Sequence, residues 1–178
     1  MERHPTMPAQ HHVISSRKLL CSTCGLALEP EFESRSDVSP ACARCQRTGV
    51  RSLQGVKACL ELAGRLLASS GVIVPFEHVG ISTRASLPGR AVGILHWQQQ
   101  YGDVRPICRS LHIEILSGLP RVAAVGACAH ELGHVWLRQV PRRLPAPVEE
   151  GTANVFKFLA LRGMPCREAA WQMRVMFL

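Results

Sequence analysis

The chain has 178 residues, eight cysteines and a formal net charge of +8. That length suits one compact catalytic domain plus a small metal-nucleated module. No apolar run approaches the roughly 20 residues that a membrane span requires, since the run from Val122 is broken by His130 and Glu131.

Residues 1–16 read as a flexible tail in which His4, His11 and His12 are solvated side chains rather than ligands. Residues 17–50 carry Cys21-x2-Cys24 and, seventeen residues later, Cys42-x2-Cys45. Each pair can turn two thiolates toward one ion, and the residues between them form the loop that brings the second pair round to close a tetrahedral site. Four protein ligands leave no position for water, so this zinc is expected to be structural. A segment this short has too little core to fold alone, and metal binding should supply much of its folding free energy. Two disulfides or a redox pair are the competing readings. No signal peptide is recognisable and no strand-helix pattern flanks either pair, which argues against both, and a soluble, cytoplasmic protein is expected. The module is similar to a zinc ribbon or to half of a LIM domain.

A catalytic domain is expected over residues 51–178. Residues 55–70 repeat apolar side chains at three and four and stop at Gly71, the pattern of an amphipathic helix. Extended runs follow near residues 79–83, 92–98 and 107–116. In the last of these Leu111, Ile113 and Ile115 alternate with Ser110, His112 and Glu114, giving one apolar face. Three helices near residues 120–140, 147–162 and 165–178 close the chain. Cys59, Cys108, Cys128 and Cys166 are scattered, mostly through apolar runs, as small buried hydrophobes would be.

The chemistry is carried by His130-Glu131-Leu132-Gly133-His134. On a helix the two histidines are one i, i+4 step apart, so both imidazoles leave one face and can share a metal ion. Glu131 then lies beside the metal, where a carboxylate acts as base toward water rather than as a ligand. Pro120 suits the first turn of that helix, and the apolar run from Val122 to Ala129 makes it a buried one, in which three polar groups need a purpose. A third ligand is expected after the break at residues 141–147. Glu149 and Glu150 are both candidates. Glu150 is favoured because Asn154 lies one turn further on, where it could orient a ligating histidine, whereas Glu149 would put Ala153 there.

From Cys108 to about Leu161 the segments CRSLHIEILSGLPRVAAVGACAHELGHVWL and VEEGTANVFKFLAL resemble the peptidase domain of the plant LIM-domain, ubiquitin-activated, growth-limiting peptidases and their short bacterial relatives. The resemblance is most specific at Gly118-Leu119-Pro120-Arg121, at the HELGH core with Trp136-Leu137-Arg138, and at Val148-Glu149-Glu150-Gly151. It implies a gluzincin-like zinc peptidase with His130, His134 and a glutamate as ligands and Glu131 as base. The Glu150-Gly151 step also resembles the third-ligand segment of zinc aminopeptidases. No acidic helical segment stands before Cys21, so ubiquitin-dependent activation is not carried over.

Together these readings predict an α+β fold, a small gluzincin-like zincin with helices packed on a small, mostly antiparallel sheet, preceded by the four-cysteine module. Two zinc ions are expected, one catalytic and one structural. Residues 107–116 are the candidate edge strand along which an extended peptide would lie, and Tyr101, His96 and His112 are the candidate oxyanion donors. A protein or peptide is the expected substrate, with the cysteine module recruiting or positioning it or a protein partner. Seven of the eight net positive charges fall beyond residue 50, but Arg142-Arg143 is the one adjacent pair there and no aromatics interleave. A solvated basic surface is therefore expected rather than a nucleic-acid platform, and no membrane contact. The competing classes are a zinc-stabilised interaction protein without activity and a DNA-associated protease of the SprT-like group, in which a zinc ribbon follows the protease domain instead of preceding it.

Overall fold

The computed structural model describes residues 19–28, 40–89, 91–101, 106–139 and 144–177, with the side chains of residues 99–101 and 106–109 outside the described set. The tail at 1–16, with its three histidines, and the basic pair Arg142-Arg143 also lie outside it.

The cysteine module begins as a tight turn in which Gly25 N–H donates to Cys21 O and Cys21 N–H to Leu26 O, with Leu20 bridged to Ala27. The second cysteine pair flanks the start of a one-turn helix α1 (Ala43–Arg47), and strand β1 (Gly49–Val50) follows. Helix α2 (Leu53–Ser69) starts where the Ser52 hydroxyl accepts from Gly55 N–H at 3.1 Å, a side-chain cap on an otherwise unpaired amide. Its Val56, Cys59, Leu60, Ala63 and Leu67 are buried, the three-and-four spacing of one inward stripe. Gly71, at φ +82°, turns the chain out of the helix.

Strands β2 (Gly80–Arg84), β3 (Gly93–Tyr101) and β4 (Pro106–Leu116) form a sheet in the order β2-β4-β3. Strand β5 (Leu119–Pro120) pairs antiparallel with β1, and helix α3 (Arg121–Gln139) follows it without a break. Helices α4 (Ala146–Arg162) and α5 (Arg167–Val175) complete the chain. Leu111, Ile113 and Ile115 point from β4 into a core shared with α2 and with Ala124, Val125, Cys128 and Leu132 of α3. The buried helix α3 is thus sandwiched between the sheet, α2 and α4, an α+β arrangement.

The strand pairing is mostly antiparallel, as expected, with β1 against β5 and β3 against β4, while β2 runs parallel to β4; one expectation needs correction. Returning from β3 as a hairpin, β4 enters the place beside β2 and takes its direction. In consequence β4 is a central strand and not an edge; among the described residues the edges are β2 and β3. Alternation along β4 reports which residues share a face but carries no information about neighbours.

The module is joined to the rest by contacts rather than by a free linker. Gly118 N–H donates to Val50 O at 2.7 Å and Arg121 N–H to Thr48 O at 3.1 Å. The Trp171 indole lies directly over Gly25, Gln172 Nε2 donates to Ser22 O at 2.7 Å, and Arg44 pairs with Glu168 at 3.3 Å. Among the described residues no helix is long and apolar enough to cross a membrane.

Candidate metal centre and cleft

His130 and His134 project from one face of α3 toward α4. Their Nε2 atoms are 3.2 Å apart, and the Glu150 carboxylate stands 3.4 Å from each, Oε2 to His130 and Oε1 to His134. A tetrahedral zinc with bonds of roughly 2.0–2.1 Å sets its ligand atoms about 3.3–3.4 Å apart. The three donors therefore already occupy three corners of such a tetrahedron. Burial pushes both imidazoles below the usual histidine range, which keeps them neutral with a lone pair to give. Asn154, on the next turn of α4, has its Oδ1 3.2 Å from His130 Nδ1. A proton on that Nδ1 donates to the carboxamide and leaves Nε2 as the metal-facing atom.

The approach of α4 depends on Gly133. A Cβ there would lie 2.8 Å from Ala153 Cα. Glycine between the two histidines thus lets the helices touch backbone to backbone, and that contact brings Glu150 into reach.

Glu131 points from the same helix toward β3 and is 4 % exposed. Burial, and then the Glu150 charge, push its carboxyl up to about 7, against a hydrogen bond from the Leu95 backbone. Strand β3 makes room for it at Gly93, where a Cβ would come within 2.8 Å of Glu131 Oε1. Nothing in the spacing of the motif signals Gly93, although a glycine at the head of a strand marks close backbone approach.

Glu149 does not join the metal-binding group. Its carboxylate receives both terminal nitrogens of Arg138, at 2.9 and 3.4 Å, and the guanidinium lies 4.6 Å over the Trp97 ring. This stack closes one end of a cleft of about 530 Å³ that runs between β3 and the paired helices and contains His130, Glu131, His134, Glu150 and Asn154. Trp97, Arg138 and Lys157 line it too, and no local pattern in the sequence gives them a role there.

His96 and His112 are elsewhere. They lie on the outer face of the sheet, where His112 Nε2 meets Ser82 Oγ at 2.8 Å and His96 Nε2 meets Glu114 Oε2 at 2.9 Å. Gly93, Leu95 and Trp97 face the metal side, so His96, between them, faces away. Neither histidine is an oxyanion donor at this centre, and Glu114 holds Arg84 and His96 instead of facing a substrate. The Tyr101 side chain lies outside the described residues.

The second cluster is Cys21, Cys24, Cys42 and Cys45, whose sulfurs all lie within 4.8 Å of one another. Cys24 and Cys42 Sγ are 3.7 Å apart, against about 3.8 Å for thiolates on a tetrahedral zinc with bonds of roughly 2.3 Å. Burial raises the Cys21 thiol, but backbone hydrogen bonds from Cys42, Cys24 and Thr23 outweigh it and bring it down to about 7. Burial and the neighbouring sulfurs push Cys45 up. Four sulfurs this close could hold one metal ion, whose charge would favour their thiolate forms. Cys59 and Cys128 are buried thiols raised by burial, the behaviour of small core residues, and Cys166 is half-buried. The Cys108 side chain is outside the described residues.

The family model described as Protein DA1, DA1-like, matches residues 76–171, more than half of the chain. The chain belongs to the DA1-like family. The DA1-like match spans β2 to α4 and the start of α5, and so contains every residue of the histidine-glutamate centre while leaving the cysteine cluster outside it. No curated protein matches the chain, and no solved structure does.

Proposed function

We propose that this protein is a zinc-dependent peptidase of gluzincin type, in which His130, His134 and Glu150 hold the catalytic ion and Glu131 is the general base. The observation that carries this reading is the tetrahedral spacing of three donors from two helices beside a buried carboxylate. Bound there, zinc supplies the charge that acidifies water and polarises a carbonyl. Glu131 takes the proton of the attacking water and carries it to the leaving amine, its position fixed by the Leu95 backbone and by the space at Gly93. The edge of β3, which has no further strand beside it among the described residues, replaces β4 as the strand beside which an extended peptide pairs, because β3 lines the cleft and β4 is flanked on both sides. Asn154 orients His130. The pair Arg138 and Glu149, stacked on Trp97, holds the far wall.

The four-cysteine cluster binds a second, structural zinc in this reading. Docked on α5 and on the segment entering α3, it presents a surface for a protein substrate or partner while stiffening the root of the catalytic helix.

Elemental analysis of purified protein tests the ligand set. Two zinc ions per chain are expected, falling to one in Glu150→Ala and staying at two in Glu149→Ala. Glu131→Gln should keep both ions and lose cleavage of a denatured protein substrate by on the order of a thousandfold or more, the general-base contribution. Cleavage retained in Glu131→Gln, or one zinc that neither glutamate change disturbs, would overturn the proposal and leave a zinc-stabilised interaction protein.

A further inference from the structure

The cleft has a charge that the chemistry above does not use. Lys157 lies one turn beyond Asn154 on α4, and its stem crosses α3 at Gly126, with Cε 3.4 Å and Cγ 3.6 Å from where a Cβ would stand. Its side chain is half-buried and lines the cleft beside Ala127 and His130. The cleft's other cation, Arg138, is neutralised by Glu149. Among the described residues no carboxylate lies within ion-pair distance of Lys157, and burial lowers its affinity for a proton. A partly desolvated ammonium that lines a binding cleft without a carboxylate partner is placed to pair with an incoming anion.

The topology says where along a bound chain that anion falls. Strand β3 runs from Gly93, beside Glu131, to Trp97, beside Arg138. An extended peptide pairing antiparallel, the more stable of the two ladders, travels the other way. It enters past Trp97, crosses the metal centre and leaves past Ala91, Val92 and Ala127, where Lys157 stands. Ala127 precedes Glu131 by four helical residues, about 6 Å, which is one to two residues of extended chain at roughly 3.3 Å each.

We infer that Lys157 is a specificity residue on the leaving-group side, receiving a carboxylate carried by the first or second residue after the cleaved bond. This rests on the peptidase reading. The carboxylate belongs either to an Asp or Glu side chain or to the free carboxyl terminus of the peptide. The first source makes the protein an acid-directed endopeptidase, the second an enzyme that trims one or two residues from chain ends.

The test compares zinc-loaded wild type, Lys157→Met and Lys157→Glu, each checked for two zinc ions, on a mixed peptide library with cut sites read by mass spectrometry. Matched peptides carry Glu or Gln at the first two positions after the cut, and a free or amidated terminus. Wild type should favour the carboxylate-bearing member by on the order of ten- to a hundredfold in kcat/KM, as a charge-assisted hydrogen bond allows. Lys157→Met should abolish the preference, and Lys157→Glu should turn it toward Lys and Arg. Dependence on the side chain alone supports the endopeptidase form, and dependence on the free terminus alone supports the trimming form. An identical cut-site profile in all three proteins overturns the assignment. Absence of cleavage by wild type would overturn the peptidase reading instead. Calorimetry on Glu131→Gln, with and without the added Lys157→Met change, then still decides on Lys157: equal affinity for the Glu and Gln peptides while the lysine is present overturns it.

Discussion

Gly133 and Ala153 meet backbone to backbone across the α3–α4 contact, with 2.8 Å between the place of a Cβ on the first and the Cα of the second. Glu150 reaches the two histidines because this contact is so short. A methyl group there must push α4 outward, an overpacking that costs about 1–3 kcal/mol. Gly133→Ala should therefore lower the melting temperature and reduce zinc from two ions per chain to one. Metal analysis beside a thermal melt checks it, and two ions retained with unchanged affinity would show that α4 can yield without losing Glu150.

Gly93 supports a separable prediction. Its missing side chain is the space into which Glu131 Oε1 fits, and Ile115 Cδ1 stands 3.2 Å away on the other side of that space. Gly93→Ala should displace the carboxylate while leaving the three metal donors in place. Cleavage should fall by on the order of a hundredfold, as for an ångström-scale misplacement of a catalytic group, with zinc content unchanged. Loss of zinc together with activity would mean that β3, and not just Glu131, had moved.

Trp171 connects the cysteine module to the last helix. The indole is half-buried over Gly25 and stands beside the Gln172 contact to Ser22. Trp171→Ala should destabilise the protein by about 2–4 kcal/mol, somewhat below the usual range for a fully buried aromatic. It should also speed transfer of the cysteine-held zinc to a chromophoric chelator. An unchanged transfer rate would show that the module holds its metal without the help of α5.

Glu114 sets a pH dependence remote from both metal sites. Hydrogen bonding from His96, with Arg84 adding to it, holds its carboxyl below the usual carboxylate range against a smaller opposing effect of burial. The unfolded chain takes up this proton first as pH falls, so the stabilisation is complete above the ordinary carboxylate pKa and is lost as pH drops through the lower folded value. Wild type should be more stable than Glu114→Gln at neutral pH, and the gap in melting temperature should close on acidification through that window. A gap that stays constant would show that the carboxylate's charge contributes nothing.

What the chain reveals by itself follows the range of each interaction. The spacing of Cys21, Cys24, Cys42 and Cys45 and of His130 and His134 is local, and the structure gathers each set into one cluster. Helix periodicity locates α2, α3 and α4 to within a few residues, because each buries a long apolar stripe. Strand partners are not legible. Alternation in residues 107–116 displays His112 and Glu114 as a polar face, but it cannot show that Ser82, Arg84 and His96 occupy that face, nor that β2 and β3 flank the strand on both sides. Gly93, Arg138 and Lys157 acquire meaning from chain segments far away in sequence, which a local pattern does not contain.

An open strand is also a place where two copies of a chain can adhere, and among the described residues β3 has a strand on one side only. The register of β3 against β4 shifts between Gln98 and Gln99. The extra residue, Arg109, belongs to β4, and such a bulge bends its own strand and increases the local twist, so the regular pairing along β3 ends after Gly93–Gln98. Six residues of straight edge span about 20 Å, room for one short extended guest. A second molecule's full-length strand would have to follow the bend to continue. The irregularity that looks like a flaw in the ladder then limits the straight edge that a second copy could pair with to those six residues.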